Sequence, residues 1–238
     1  MEGKMGKIRL FCLPHAGSSA VIYSKWKNYL DHSIELYPVE LAGRGRRFQQ
    51  PLYDSMEDAV ADVYEQIREL IDLKPYAIFG HSMGSLIAYE LYHKINQLHH
   101  HTPVHMFFSG RQAPHILNQD KIVYSLPDAE FRAEVLELGG TSREVFENEE
   151  LMNIFLPILR ADYKIVETYR YSAPQSLINC GISILHGLKD DMEIDEMKEW
   201  AIHTQKEHKL HLFDGGHFFI HEQVAQVVTI VNDTLKAV

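Results

Sequence analysis

Gly80-His81-Ser82-Met83-Gly84 places one serine between two glycines, directly after an apolar run (Tyr76-Ala77-Ile78-Phe79) and directly before Leu86, Ile87, Tyr89 and Leu91 at helical spacing. A strand that turns sharply into a helix through such a pentapeptide projects its serine hydroxyl from the sheet edge, where a nucleophile has to be. The glycines answer a steric demand, because a side chain at either position would clash in so tight a turn. A serine hydroxyl is almost fully protonated at neutral pH. Attack on an acyl carbon therefore requires a base within reach and a second group to orient that base.

After a serine in this context the partners follow in the chain order acid, then histidine. Gly187-Leu188-Lys189-Asp190 follows the apolar run Ile182 to Leu185, and Asp214-Gly215-Gly216-His217 follows Leu210 to Phe213. His217 is singled out among 15 histidines by its place after the last strand, with two glycines that let its loop turn back. Asp190 is the chosen acid, with Asp191 and Asp195 as rivals in the carboxylate-rich run Asp190 to Glu196. That run lacks the central glycine of a calcium loop. Stabilising a tetrahedral oxyanion needs two backbone N–H groups. Met83, at the start of the helix, is expected to give one, and the loop Pro14-His15-Ala16-Gly17-Ser18 the other, from Ala16 with Gly17 as the alternative. His15 is read as lining the entrance without a catalytic part. Chemistry of this kind needs no metal and no redox cofactor.

Two further clusters read as weaker signals. His99-His100-His101, with His93 and His105 nearby, has no carboxylate at metal-binding spacing and reads as a loop at a helix end. Gly43-Arg44-Gly45-Arg46-Arg47 suits a phosphate or an acidic surface equally well. Cys12 and Cys180 sit among apolar or small residues, far apart, and read as buried thiols, neither disulfide nor zinc site.

The elements that must carry these residues alternate. Strand-like runs at Lys7–Leu13, Ile34–Val39, 76–79, 106–108, 182–185 and 210–213 are separated by helical patterns. One helix opens on the cap Ser55 with Asp58 and continues through Met56, Ala59, Val60, Val63, Ile67, Leu70 and Ile71; the last carries Val224, Val227, Val228, Val231 and Leu235. This rhythm predicts an α/β fold with a mainly parallel sheet flanked by helices, as a single domain over 1–238. From about Pro114 to Arg170 the strands cease. The run Asp128 to Leu136, then Gly139-Gly140-Thr141, then a longer helix through Leu156 and Ile158 predict a helical insertion, or lid, over the functional edge. A content of 45% hydrophobic residues suffices for a sizeable core. No stretch approaches the roughly 18 apolar residues of a membrane span. The start, Met1 to Lys7, lacks a signal-peptide pattern, so a cytoplasmic location is expected. A net charge of −10 argues against nucleic acid or an anionic membrane as partner.

Taken together, the elbow, Pro14-His15-Ala16-Gly17, Leu41-Ala42-Gly43-Arg44-Gly45-Arg46-Arg47, Ser109-Gly110-Arg111-Gln112-Ala113-Pro114 and Leu159-Arg160-Ala161-Asp162 resemble the type II thioesterases, the stand-alone editing enzymes of non-ribosomal peptide and polyketide synthetases. The resemblance runs over nearly the whole chain. It implies an α/β-hydrolase fold, Ser82, Asp190 and His217 as catalytic triad, and substrates tethered to the phosphopantetheine of carrier proteins. Two positions depart from the pattern: Ser18 stands where a second glycine is usual, and Ala42 where proline is usual. A medium-chain fatty acyl thioesterase, a carboxylesterase or lipase, and an acyltransferase share the triad. A non-catalytic binding module ranks last, because all three triad types are present.

Overall fold

The computed structural model describes residues 7–116, 122–137 and 148–238. Met1 to Gly6 and the Gly139-Gly140-Thr141 turn of the expected insertion lie outside them. Six strands, β1 (Ile8–Leu13), β2 (Ile34–Pro38), β3 (Tyr76–His81), β4 (His105–Ser109), β5 (Gly181–Gly187) and β6 (His208–Phe213), form one sheet in the order β2-β1-β3-β4-β5-β6, every pair parallel. Among the described residues the α-helices are α1 (Met56–Ile67), α2 (Met83–Gln97), α3 (Asp128–Glu137), α4 (Glu149–Glu167), α5 (Ile194–Lys198), α6 (Phe219–Glu222) and α7 (Val224–Lys236). The parallel sheet flanked by helices agrees with the expectation from the sequence.

Strands β1, β3 and β4 are buried along their whole length, which is why they read as unbroken apolar runs with no alternation. Side chains on one sheet face (Phe11, Leu13, Ile78, Met106, Phe108) pack with α1 and α2 residues such as Val63, Ile67, Leu86 and Leu91. The opposite face (Leu10, Cys12, Ala77, Phe79, Phe107) packs with Tyr23, Trp26 and the α7 valines 227, 228 and 231. Both cysteines are free and buried. The Ser55 hydroxyl caps α1 by accepting the Asp58 N–H at 3.1 Å, an interaction worth about 1 kcal/mol. Helix α1 ends at Ile67, so Leu70 and Ile71 lie in the turn beyond it; Ile71 is nevertheless buried.

The strand order locates the ligand site. The chain leaves β1 for β2 on one side and returns to β3 on the other, so the C-terminal ends of β1 and β3 flank a topological switch point, where open α/β sheets bind ligands. The loop 14–18 and the turn at Ser82 both emerge there.

In the 114–170 segment, α3 and α4 share a small cluster of their own, Val123, Phe131, Val135, Met152, Leu156 and Leu159. Arg160 ties it together: its guanidinium donates to the Leu126 carbonyl at 2.7 Å and lies 4.4 Å from the Phe131 ring centre. Farther along α4, Ile165 joins the main core. No helix among the described residues is long and apolar enough to cross a membrane.

Buried histidines make stability depend on pH. Burial drives His15 down to about 3, and His93, His105 and His203 down to about 4. In the unfolded chain each titrates near ~6.5. Between those values the unfolded chain binds protons that the fold refuses, so stability is complete above about pH 6.5 and falls as pH drops toward 4. Urea unfolding at pH 5.0 should give a stability lower by roughly 3 kcal/mol or more than at pH 7.5. Equal values would mean that these rings are ionised in the folded protein.

Candidate active site

Ser82 holds φ 53° and ψ −115°, a left-handed conformation that a non-glycine residue adopts only where its surroundings force it. The forcing contacts are present. Its N–H donates to the Ser109 carbonyl of β4 at 2.7 Å, and the Ser85 hydroxyl lies 2.9 Å from the Gly80 carbonyl and 3.0 Å from that of Ser109. A Cβ at Gly80 would come within 2.2 Å of the Gly84 carbonyl oxygen, and one at Gly84 within 2.3 Å of the Leu13 carbonyl oxygen. The two glycines therefore let β3, α2 and the end of β1 meet backbone to backbone, with Ser82 at the junction.

Asp190 and His217 are brought together by a second glycine contact. A Cβ at Gly187 would come within 2.4 Å of the Gly216 carbonyl oxygen, and Lys189 N–H donates to the Gly215 carbonyl at 2.9 Å. The loops after β5 and β6 thus lie against each other, and His217 Nδ1 stands 2.8 Å from Asp190 Oδ2. The Asp190 side chain is 6% exposed, which shields its carboxylate from bulk water. A carboxylate can only accept, so Nδ1 carries the proton and Nε2 is left as the basic nitrogen. The rivals are placed differently: Asp191 is exposed, and Asp195 pairs with Lys198 at 2.7 Å.

The His217 ring lies 5.3 Å from the ring of His81, the residue before Ser82. Among the described residues the Ser82 hydroxyl makes no hydrogen bond. Bonds of this type commonly tighten only once substrate is bound. Burial holds His81 well below its ordinary value, so the ring beside His217 is neutral; its Nδ1 lies 2.8 Å from the Ser109 hydroxyl.

In the loop after β1 the two candidate N–H groups differ in their bonding. The Gly17 N–H already donates to Asp162 Oδ2 at 2.7 Å, whereas the Ala16 N–H has no acceptor among the described residues. The Met83 N–H opens α2, and first-turn amides have no intrahelical partner. His15 does not line an entrance. It is 4% exposed, with Nδ1 at 3.0 Å from the Ala16 carbonyl and Nε2 at 3.0 Å from His221 Nε2, so it braces the loop from beneath. The basic loop turns inward as well: Arg44 pairs with Asp162 and Arg47 with Asp62, leaving Arg46 exposed, because two of its three cations have carboxylates within 2.6 Å. His100 is held by Asp72 and Tyr64 at 2.6 and 2.7 Å. Asp162 is the residue that reading the sequence left without a role: its buried position on α4 is not visible in the motif Leu159-Arg160-Ala161-Asp162.

A thioesterase domain family model matches residues 8–235. ClbQ, from the colibactin non-ribosomal peptide/polyketide pathway, is 41% identical, with 98% of each chain covered and a TM-score of 0.94. The type II thioesterase BorB, from the borrelidin biosynthetic cluster, is 32% identical over 95% of this chain and 92% of its own, with a TM-score of 0.86. A protein named linear gramicidin dehydrogenase LgrE, from Brevibacillus parabrevis, is 37% identical over 97% of this chain and 89% of its own.

The neighbouring carboxylates supply an internal control for the acid. Asp190→Asn is expected to lower kcat by at least about 10²-fold, through loss of the charge and tautomer control at His217 Nδ1. Asp191→Asn, at an exposed position, is expected to change kcat by less than about 3-fold. Steady-state kinetics of the two variants decides; reversed effects would move the acid by one residue.

Proposed function

The chain belongs to the thioesterase family, and from that premise we propose that it hydrolyses acyl or aminoacyl thioesters held on the phosphopantetheine arm of carrier proteins, clearing misprimed or stalled groups from a non-ribosomal peptide or polyketide synthetase. The observation that carries this reading is the part-buried Asp190–His217 pair, whose imidazole lies 5.3 Å from the ring of His81, beside the strained Ser82 turn. The near-complete match to ClbQ and BorB supports the substrate class.

In the proposed mechanism His217 Nε2 accepts the Ser82 proton as Oγ attacks the thioester carbonyl, and Asp190 stabilises the imidazolium that forms. The Met83 and Ala16 amides donate to the tetrahedral oxyanion. The C–S bond then breaks. The sulfur leaves readily, because its thiol has a pKa near ~8.5, and it takes the proton from His217 Nε2, which returns the imidazole to the neutral base. Water, deprotonated by His217, attacks the acyl-serine; the acid leaves and Ser82 recovers its proton.

The name of LgrE raises a redox reading, and the turn after β1 speaks against it. Between β1 and the following 3₁₀ segment there is one glycine, Gly17, bonded to Asp162 and packed under Leu159. A dinucleotide pyrophosphate is received on a different turn, Gly-x-Gly-x-x-Gly opening a helix.

The helices α3 and α4 belong to this reading as the lid under which the arm enters. Ile122, Leu136, Leu151 and Ile154 stand 54%, 37%, 40% and 46% exposed in this region, an apolar surface for a carrier domain to rest on. Contacts made so far from the carbonyl can still raise the rate of the chemical step.

Two measurements test the proposal. Ser82→Ala should lower kcat by roughly 10⁵–10⁶ in a protein that stays folded, because triad members act as a unit; a tenth of the activity remaining would end the nucleophile assignment. For one short acyl group at fixed ionic strength, kcat/KM on acyl-carrier protein should exceed that on the coenzyme A thioester by at least ~10-fold, about 1.4 kcal/mol. Equal efficiencies would reduce the function to that of a general acyl thioesterase.

A further inference from the structure

The turn His15-Ala16-Gly17-Ser18 is closed by the Ser18 N–H, which donates to the His15 carbonyl at 3.1 Å. Gly17, its third residue, has φ +74°, the mark of a type II turn. Types I and II differ in the orientation of the central peptide, here Ala16–Gly17, and in this protein both ends of that peptide are held. Its carbonyl accepts from His15 Nδ1 at 3.0 Å, and its N–H donates to Asp162 Oδ2 at 2.7 Å. In the preceding peptide, the carbonyl of His15 is the one engaged by Ser18, so the trans geometry sends the Ala16 N–H the opposite way.

Asp162 is itself held rigidly. Arg44 Nη1 donates to Oδ2 at 2.6 Å and Nη2 to Oδ1 at 2.8 Å, in a fork between side chains only 3% and 2% exposed. Arg44 also donates to the Ser18 carbonyl at 3.2 Å. One turn before Asp162 on α4, Leu159 sits so close to Gly17 that a Cβ there would come within 2.4 Å of its Cδ2. A stability role alone would need only the ion pair. The third bond, to a backbone amide beside the proposed oxyanion donor, is what the pair adds.

We propose that Asp162 is a positioning residue for oxyanion stabilisation: by accepting the Gly17 N–H it locks the turn in the type II form that leaves the Ala16 N–H free for the reacting carbonyl oxygen. This rests on the reading of Ala16 as an oxyanion donor. It also makes α4, a helix of the insertion, part of the scaffold of the catalytic loop.

The test separates the Gly17 acceptor from the ion pair. The double variant Arg44→Met with Asp162→Leu replaces both charges by apolar groups, which leaves no buried charge unpaired. Its kcat should fall about 30-fold or more, with KM within 2-fold and a melting temperature within about 5 °C of the parent. Arg44→Met with Asp162→Asn likewise leaves no charge unpaired, keeps an acceptor oxygen for Gly17 and should recover at least tenfold of that loss. A folded double variant within 3-fold of the parent in kcat, or equal losses in the Leu and Asn variants, would overturn the proposal. A measurement on the parent covers the case in which the double variant does not fold. When an alkyl boronic acid forms its tetrahedral adduct on Ser82, the Ala16 amide proton should move downfield while that of Gly17 stays; the reverse pattern overturns the proposal. Ser82→Ala, assayed alongside, separates the two levels. If it remains active the nucleophile reading fails first, whereas if it is dead and the double variant is intact, the positioning role alone falls.

Discussion

The backbone of Ser82 is the constraint on which the arrangement depends. A left-handed residue that is not glycine costs about 1–3 kcal/mol and persists only where the surroundings over-determine it. Here the sheet does so: β4 accepts the Ser82 N–H, Ser85 bridges β3 and β4, and Gly84 brings α2 against the end of β1. The strain is opposed by parts of the fold that are buried throughout, so the proposed nucleophile borrows the rigidity of the core. The same contact at Gly84 places the first amide of α2 beside the β1 loop, which lets the proposed nucleophile and the two proposed oxyanion donors share one small space.

The Arg44–Asp162 pair shows a different use of buried groups. Burial works against the Arg44 charge, yet the Asp162 carboxylate outweighs it and holds the guanidinium above its ordinary value. Such pairs contribute little net stability compared with apolar packing, although losing one partner costs about 3–5 kcal/mol. What this pair supplies is a fixed relation among three segments far apart in sequence: the loops after β1 and β2, and α4.

How much of this was legible in the sequence follows from the range of each interaction. The elbow is local, and Gly80, Ser82 and Gly84 announce it. Asp190 and His217 are 27 residues apart but each directly follows a strand, and glycines 187, 215 and 216 mark the backbone contact that joins them. The strands were legible because those at the centre are buried on both faces. Other features were not legible because they join residues without local signatures. The Gly17 N–H is taken up by a carboxylate 145 positions away, and the fate of the basic loop depended on whether Asp62 and Asp162 would reach it. Ser18, a departure from the family pattern, proves to serve the turn: its N–H closes it and its hydroxyl lies 2.9 Å from His15 Nε2.

The histidines behind the site complete the electrostatic picture. A carbonyl can only accept, so His15 bears its proton on Nδ1, and Nε2 must then accept from His221 or from Ser18. Burial holds His15 and His81 in the neutral form, and lowers His221 as well. A charge on any of these rings would oppose the imidazolium that His217 becomes in the proposed mechanism. Keeping them neutral leaves Asp190, at 2.8 Å, as the one full charge bonded to His217 among the described residues. The site can therefore carry several imidazoles while, in the proposed mechanism, the proton transferred from Ser82 meets attraction on one side and no repulsion from its aromatic neighbours.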